Sequence, residues 1–466
     1  MRRAGMILAT FALVAAACGQ YPGVHDLAVE NGEIPSGSGL TPVTGLGPGA
    51  ELSGGGAGGS GIAVESDGTA PGTPGVSAPP SSSAGPAGGV VAPGGGSAPI
   101  GGGTTTGVTA TTIKIGLHAP LTGAAPLKAE SFNRGKDAYW LRGNDGKPIE
   151  IHGRQVEVVF QDDQYNPSHA RAVCSQMAEE QGSFLLVGGG GTDQIQACGA
   201  YAASKGIPYV SVGSTEVGLT RLPNYFAVSM SYADQVPLLA QYMKANRSEL
   251  GWDGSGGSVA AVITNTPNFD DALAAFEQSF PGAAILRPEK NERGSSMAGQ
   301  LCTGTLKNYE VVFPLTSPTY FLEMAGASKC NPQYVGVGIT MGLNQVADVG
   351  CSTGGLTNAR FFSPAPGFAN SDEYDPMFRR AGGQDDIEFL LWGLWKSIHQ
   401  LLLEAGPNLT REGFIASSST AKTTNGVFPD VAMSPSNHFG AQQVHVLRAD
   451  CGSGQFVTEQ AFKSSF

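Results

Sequence analysis

Residues 19–107 contain no lysine, no arginine and one aromatic side chain, Tyr21. A stretch built from glycine, proline, serine, alanine and threonine cannot bury enough apolar surface to offset the entropy of ordering it. It reads as a tether with a root-mean-square reach on the order of 50 Å, at roughly 5 to 6 Å times the square root of its length. Positive charge is scarce elsewhere too: 27 lysines and arginines stand against 39 acids, giving a net charge of −12. Binding nucleic acid needs clustered cations to neutralise phosphates, so that class of partner is excluded. The chain also lacks a G-x-x-x-x-G-K-[ST] loop, a C-x-x-C pair and an H-E-x-x-H helix, and its seven histidines are dispersed. Nucleotide hydrolysis, thiol redox chemistry and a zinc site lose their usual carriers. Asp162 and Asp163 resemble a catalytic carboxylate pair, but neighbours in a strand point to opposite faces. Residues 211–215 lack the G-x-S-x-G elbow of a hydrolase. The expectation is a protein that is not an enzyme, with no cofactor and no metal.

What is present begins at the N-terminus. Arg2 and Arg3 precede an apolar run over residues 6–17, which is about twelve residues where a membrane span needs roughly twenty. This is an export signal. Three alanines before Cys18 and Gly19 resemble the lipobox of bacterial lipoproteins, with Ala15 in place of the usual leucine or valine. That resemblance implies cleavage before Cys18 and a lipid on it, anchoring the protein to the outer face of the bacterial cytoplasmic membrane. Six cysteines remain, an even number that in an exported chain suggests disulfides. Of the fifteen possible pairings, sequential neighbours are the economical choice: Cys174 with Cys198, Cys302 with Cys330, Cys351 with Cys451. Free core thiols are the alternative.

From residue 112 the pattern changes. "TIKIGL" is an apolar strand, and "PLTG" at 120–123 is a turn that ends it. Strands at 155–163, 184–191 and 207–215 then alternate with helices at 132–141, 167–181 and 192–205. A second cycle places strands at 258–266, 283–288, 309–317 and 333–340, with helices at 269–280, 295–307 and 320–328. Such alternation implies an α/β fold with mainly parallel sheets, whose ligands sit beyond the carboxyl ends of the strands. The apolar helix at 387–405 is interrupted by Lys396, His399 and Glu404, so it faces a core rather than a bilayer.

Taken in order, "IKIGLHAPLTG", "FNRGKDAYWLRGNDG", "QVEVVFQDDQYNPSHARAVCSQM", "LLVGGGGTD", "GIPYVSVGST" and "NYFAVSMSYADQ" resemble the first lobe of the type I extracellular solute-binding proteins, the leucine/isoleucine/valine-binding group. "AVITNTPNFDDALAAFEQSF" and "QYVGVGIT" resemble its second lobe. The resemblance also supports the Cys174–Cys198 pair. It implies two Rossmann-like lobes joined by a three-crossing hinge, closing on a small solute that is delivered to the permease subunits of an ABC importer, with the binding protein a monomer. The expected boundaries are signal 1–18, tether 19–107, first lobe 108–228, second lobe 229–365, first lobe again 366–425, and a C-terminal segment 426–466 returning to the second lobe.

The glycine run at 188–191 before Thr192 lies between a strand and a helix, where free amides can face an anion. The family positions for a ligand carboxylate fall on Thr192, Gly213, Ser214 and Thr215. Phe269 and Tyr320 fall at aromatic wall positions. Ile339 and Thr340 stand where amino-acid binders carry the acid that pairs with the ligand's ammonium group. A buried ammonium without a counter-charge costs several kcal/mol, so a carboxylate, amide, aromatic acid or polyol is expected rather than an α-amino acid. A ligand-sensing subunit and a cell-wall interaction protein without solute binding are the alternatives.

Overall fold

The computed structural model describes residues 103–302 and 309–466. The export signal, Cys18, residues 19–102 of the tether and the end of the helix expected at 295–307 lie outside the described residues. The chain first builds β1 (Thr112–Ala119), α1 (Ala129–Arg142), β2 (Glu150–Ile151), β3 (Arg154–Asp162), α2 (Pro167–Ser175), β4 (Leu185–Gly188), α3 (Thr192–Ser204), β5 (Tyr209–Ser211) and β6 (Tyr225–Ala227). It continues through α4 (Tyr232–Ala245), β7 (Val259–Ile263), α5 (Asp270–Ser279), β8 (Ala284–Leu286), α6 (Gly294–Leu301), β9 (Val311–Leu315), α7 (Pro318–Ala327), β10 (Gln333–Gly336), α8 (Asn344–Ser352) and β11 (Arg360–Ser363). The last part holds α9 (Ser371–Tyr374), α10 (Pro376–Arg380), α11 (Asp386–Glu404), α12 (Arg411–Ser418), β12 (Lys422–Thr423), β13 (Val431–Ala432), β14 (Val444–Asp450) and β15 (Gln455–Lys463).

Two sheets organise these elements. The first has the order β2-β3-β1-β4-β5-β6 and the second β15-β14-β11-β10-β9-β7-β8. Pairing is parallel except at the edges, where β2 joins β3 and β14 joins β11 and β15 antiparallel. The central strands β4, β7 and β9 are buried along their whole length, as continuous apolar runs covered by helices on both faces must be. Each such strand is shorter than the stretch expected from the sequence. The residues just beyond the carboxyl ends of β4, β5 and β10 form the site.

The chain passes between the sheets three times. It leaves the first sheet after β6 and the second after β11. Helix α11 then packs on α1, where Trp395 Nε1 donates to the Gly135 carbonyl at 3.2 Å and the Trp140 and Trp395 rings lie 5.7 Å apart. The segment after it still belongs to the first sheet, since Ala227 N–H donates to the His438 carbonyl at 2.9 Å beside a bridge to Phe439. The third passage falls between Ala441 and Val444. Upstream of Val108, Thr104 is already docked on α12, its amide and hydroxyl donating to Glu412 at 2.8 and 2.9 Å.

All three sequential cysteine pairs are bonded, with Cα separations of 5.9, 5.4 and 5.1 Å in chain order. His445 on β14 is fully buried between the Tyr374 and Phe462 rings, its Nε2 donating to the Val427 carbonyl at 3.1 Å. Burial disfavours its charged form and pushes its pKa from 6.5 down to about 3. The unfolded chain therefore takes up the proton first, and stability falls as the pH drops from about 6.5 toward 3, at about 1.4 kcal/mol per unit. Urea unfolding should show about 2 kcal/mol lost to this group between pH 7 and pH 5. In His445→Gln, whose amide can still donate to Val427, that part of the slope should vanish; an unchanged slope would refute the assignment.

Candidate functional site

The glycine loop after β4 is shaped by what surrounds it. A side chain on Gly188 would run into the Tyr209 hydroxyl, which is buried and bonded at 2.8 Å to Nε2 of His118. His118 Nδ1 in turn meets Asp163 Oδ2 at 2.7 Å, with both side chains fully buried. This Asp163–His118–Tyr209 relay holds the loop from below, while the His118 carbonyl accepts the Gly189 N–H at 2.8 Å. Gly191 sits at φ 76° and caps α3 with no side-chain acceptor. The first-turn amides of α3 therefore lack an internal partner, and their positive end opens toward the space above the strand ends.

That space is a cavity between the two lobes of about 630 Å³ including its open mouth. Its polar end is made by Gly190, Gly191 and Thr192, by Gly213 and Ser214 after β5, and by Tyr232 at the start of α4. Ser214 is 1% exposed and its Oγ has no hydrogen-bond partner; the Tyr225 phenol is near it without bonding geometry. Burial pushes the Tyr232 phenol up to about 12, so it stays a neutral donor, with the Thr192 hydroxyl beside it opposing the shift. The second lobe contributes Ile339, Thr340 and Leu343 from the turn after β10. The remaining wall is aliphatic: Leu127 before α1, Ile195 on α3, and the face of α11 carrying Ile387, Leu390, Leu391 and Leu394. No lining residue is an acid, a lysine, an arginine or a histidine.

Five of the eight positions named from the sequence, Thr192, Gly213, Ser214, Ile339 and Thr340, meet at this cavity, and three do not line it. Thr215 is buried with its hydroxyl donating to Asp271 at 2.7 Å. Phe269 stands behind Tyr232, ring centroids 6.3 Å apart. Tyr320, in the first turn of α7, is buried in the core of the second lobe, and its carbonyl lies against Gly294 at the start of α6. The α11 face and Tyr232 were not named from the sequence. Tyr232 carried one signal, its place directly after the N-cap Ser231, whose hydroxyl accepts the Asp234 N–H at 3.1 Å.

The lobes touch on both flanks of the cavity. On one side Lys290 and Asn268 of the second lobe bond Asp193 of α3, the lysine at 2.5 Å. On the other, Asp271 accepts Thr215 Oγ1 and, at 2.6 Å, the Glu216 N–H. Burial, with Asp234 and Asp271 nearby, raises the Glu216 carboxyl against the hydrogen bond it takes from Ser231. Asp162 and Asp163 are split as strand geometry requires. Asp162 accepts from Leu121 and Thr122 to fasten the 120–123 turn, and Asp163 holds His118. His118, Cys174 and Cys198 come within reach of one another, but the cysteines are bonded to each other and both imidazole nitrogens are occupied, so no metal site forms there. Among the described residues no helix is long and apolar enough to cross a membrane.

Solved structures share this architecture. The fatty acid ABC transporter substrate-binding protein from Thermomonospora curvata superposes with a TM-score of 0.63 at 16% identity, covering 78% of this chain and 95% of that one. An R. palustris ABC transporter solute binding protein in complex with 4-hydroxybenzoate gives 0.62 at 16% identity, over 75% and 96%. The branched-chain amino acid transporter substrate binding protein from Streptococcus pneumoniae, in complex with isoleucine, gives 0.60 at 14% identity, over 76% and 100%. No curated protein matches the chain in sequence. The model of the periplasmic binding protein family, however, matches residues 112–455, and the chain belongs to that family.

Proposed function

We propose that this protein is an exported solute-binding lipoprotein, held on the outer face of the cytoplasmic membrane by a lipid on Cys18, that captures a small solute between its lobes and delivers it to the permease subunits of an ABC importer. The observation that carries the reading is the cavity itself: it lies at the carboxyl ends of β4, β5 and β10, takes walls from both lobes, and is flanked by direct contacts between them. A solute touching both walls would favour the closed arrangement over an open one, which is the differential affinity that closure requires. The structural relatives named above bind or transport acids, including 4-hydroxybenzoate and isoleucine. Without an acid in the wall, an α-amino acid would bury its ammonium group unpaired.

Thermal unfolding of the full chain against amino acids, carboxylates, amides, aromatic acids and polyols tests the reading. A solute at a hundred times its dissociation constant should add about 2.7 kcal/mol. Silence across the whole panel would overturn it. Anchoring has its own test: Cys18→Ala should release the protein from the membrane fraction into the medium.

A further inference from the structure

The lining of the cavity separates one polar end from a long apolar one, and this asymmetry is chemically specific. At the polar end the uncapped first turn of α3 and the buried, unpartnered Ser214 hydroxyl both offer hydrogens to a single acceptor group. A carboxylate takes two or more such donors and gains from the helix dipole, whereas a neutral oxygen gains less. Away from this end every wall residue contributed by α11 is a leucine or isoleucine, and Leu127, Ile195 and Leu343 continue the same surface. Phe132, the one phenylalanine in the lining, stacks on Phe160 at 5.5 Å, so it is already partnered. Branched aliphatic walls suit a flexible hydrocarbon better than a flat ring, which would need a second planar face.

We infer that the solute is an aliphatic monocarboxylic acid, its carboxylate held by the start of α3 and Ser214 and its hydrocarbon chain laid along the α11 face of the same cavity. The inference rests on the solute-binding reading and narrows it to one chemical class.

Calorimetric titration of the full chain with straight-chain acids from butanoate to decanoate tests it, alongside their methyl esters, benzoate, leucine and 4-methylpentanoate, the deaminated counterpart of leucine. Each added methylene should tighten binding roughly fourfold, the equivalent of about 0.8 kcal/mol, until the apolar space is filled. Each methyl ester should bind about tenfold more weakly than its acid, and 4-methylpentanoate should outbind leucine. Ser214→Ala should weaken the acids about tenfold and leave the esters unchanged. The wild-type chain-length series stands even if that variant does not fold. Affinity independent of chain length, benzoate binding tighter than octanoate, or leucine binding tighter than 4-methylpentanoate would each overturn the inference. A hit confined to polyols or amides would overturn it while leaving solute binding intact; silence to every solute of the wider panel would overturn both.

Discussion

Removing the Cys351–Cys451 disulfide should cost the fold about 4 to 5 kcal/mol, more than removing either of the others. The bond closes a loop of 100 residues, against 24 for Cys174–Cys198 and 28 for Cys302–Cys330. In the chain-entropy account, tying the unfolded chain over loops of these lengths is worth about 4.7, 3.4 and 3.6 kcal/mol respectively. The location matters as much as the length. Cys351 ends α8 and Cys451 follows β14, so the closed loop holds the chain's whole second excursion into the first lobe, including α11 with its cavity-lining face. Cys451 is exposed and Cys351 half-buried, so replacing both with serine leaves little cavity to confuse the result. Urea unfolding of the Cys351→Ser/Cys451→Ser double variant should show the loss, with the half-buried Cys302/Cys330 pair as the comparison. A loss under about 1 kcal/mol, or a larger loss from the shorter loop, would show that the native contacts and not the unfolded chain set the value.

Much of this architecture was legible in the sequence because its physics is local. Ile113, Ile115 and Leu117 alternate into one buried face of β1, and the run at 185–187 is apolar throughout because β4 is covered on both faces. The glycine run announced a close backbone approach, and the Tyr209 hydroxyl behind Gly188 is its cause. The site was legible only where backbone geometry dictated it. Ile387, Leu390, Leu391 and Leu394 look the same in sequence whether they face a core or a ligand cavity, so α11 read as a core helix. Thr215 and Phe269 sit within one side chain of the cavity but are already engaged, by Asp271 and by Tyr232. No pattern along the chain reports such a competing partner. Residues 371–380, 411–418 and 444–463 form helices and strands that no strong period announced: the helices are four to eight residues long, and β15, paired with β14, is half-buried along nearly its whole length, so its two faces do not alternate.

Thr340→Asp should invert the selectivity of the site, weakening aliphatic acids at least about a hundredfold at pH 7 while bringing leucine into measurable binding. Thr340 lies on the turn after β10, half-exposed, in the wall that faces the start of α3 across the cavity. It makes no hydrogen bond that the fold depends on, so the substitution leaves the surrounding packing intact. The new carboxylate would share a water-poor cavity with the solute's own, and like charges at such range cannot both stay ionised without a large cost. For an α-amino acid the same group supplies the missing partner for the ammonium, converting an uncompensated buried charge into a hydrogen-bonded pair. A hundredfold loss corresponds to about 2.7 kcal/mol, modest beside the several kcal/mol that an unpaired buried charge costs. Lowering the pH should restore part of the acid binding, since protonating the introduced carboxyl group removes the repulsion while Ser214 and the amides of α3 remain. Titration of wild type and variant with leucine and 4-methylpentanoate measures the ratio directly. If both affinities stay put, Thr340 does not face the solute, and the solute must lie nearer α11 than the turn after β10.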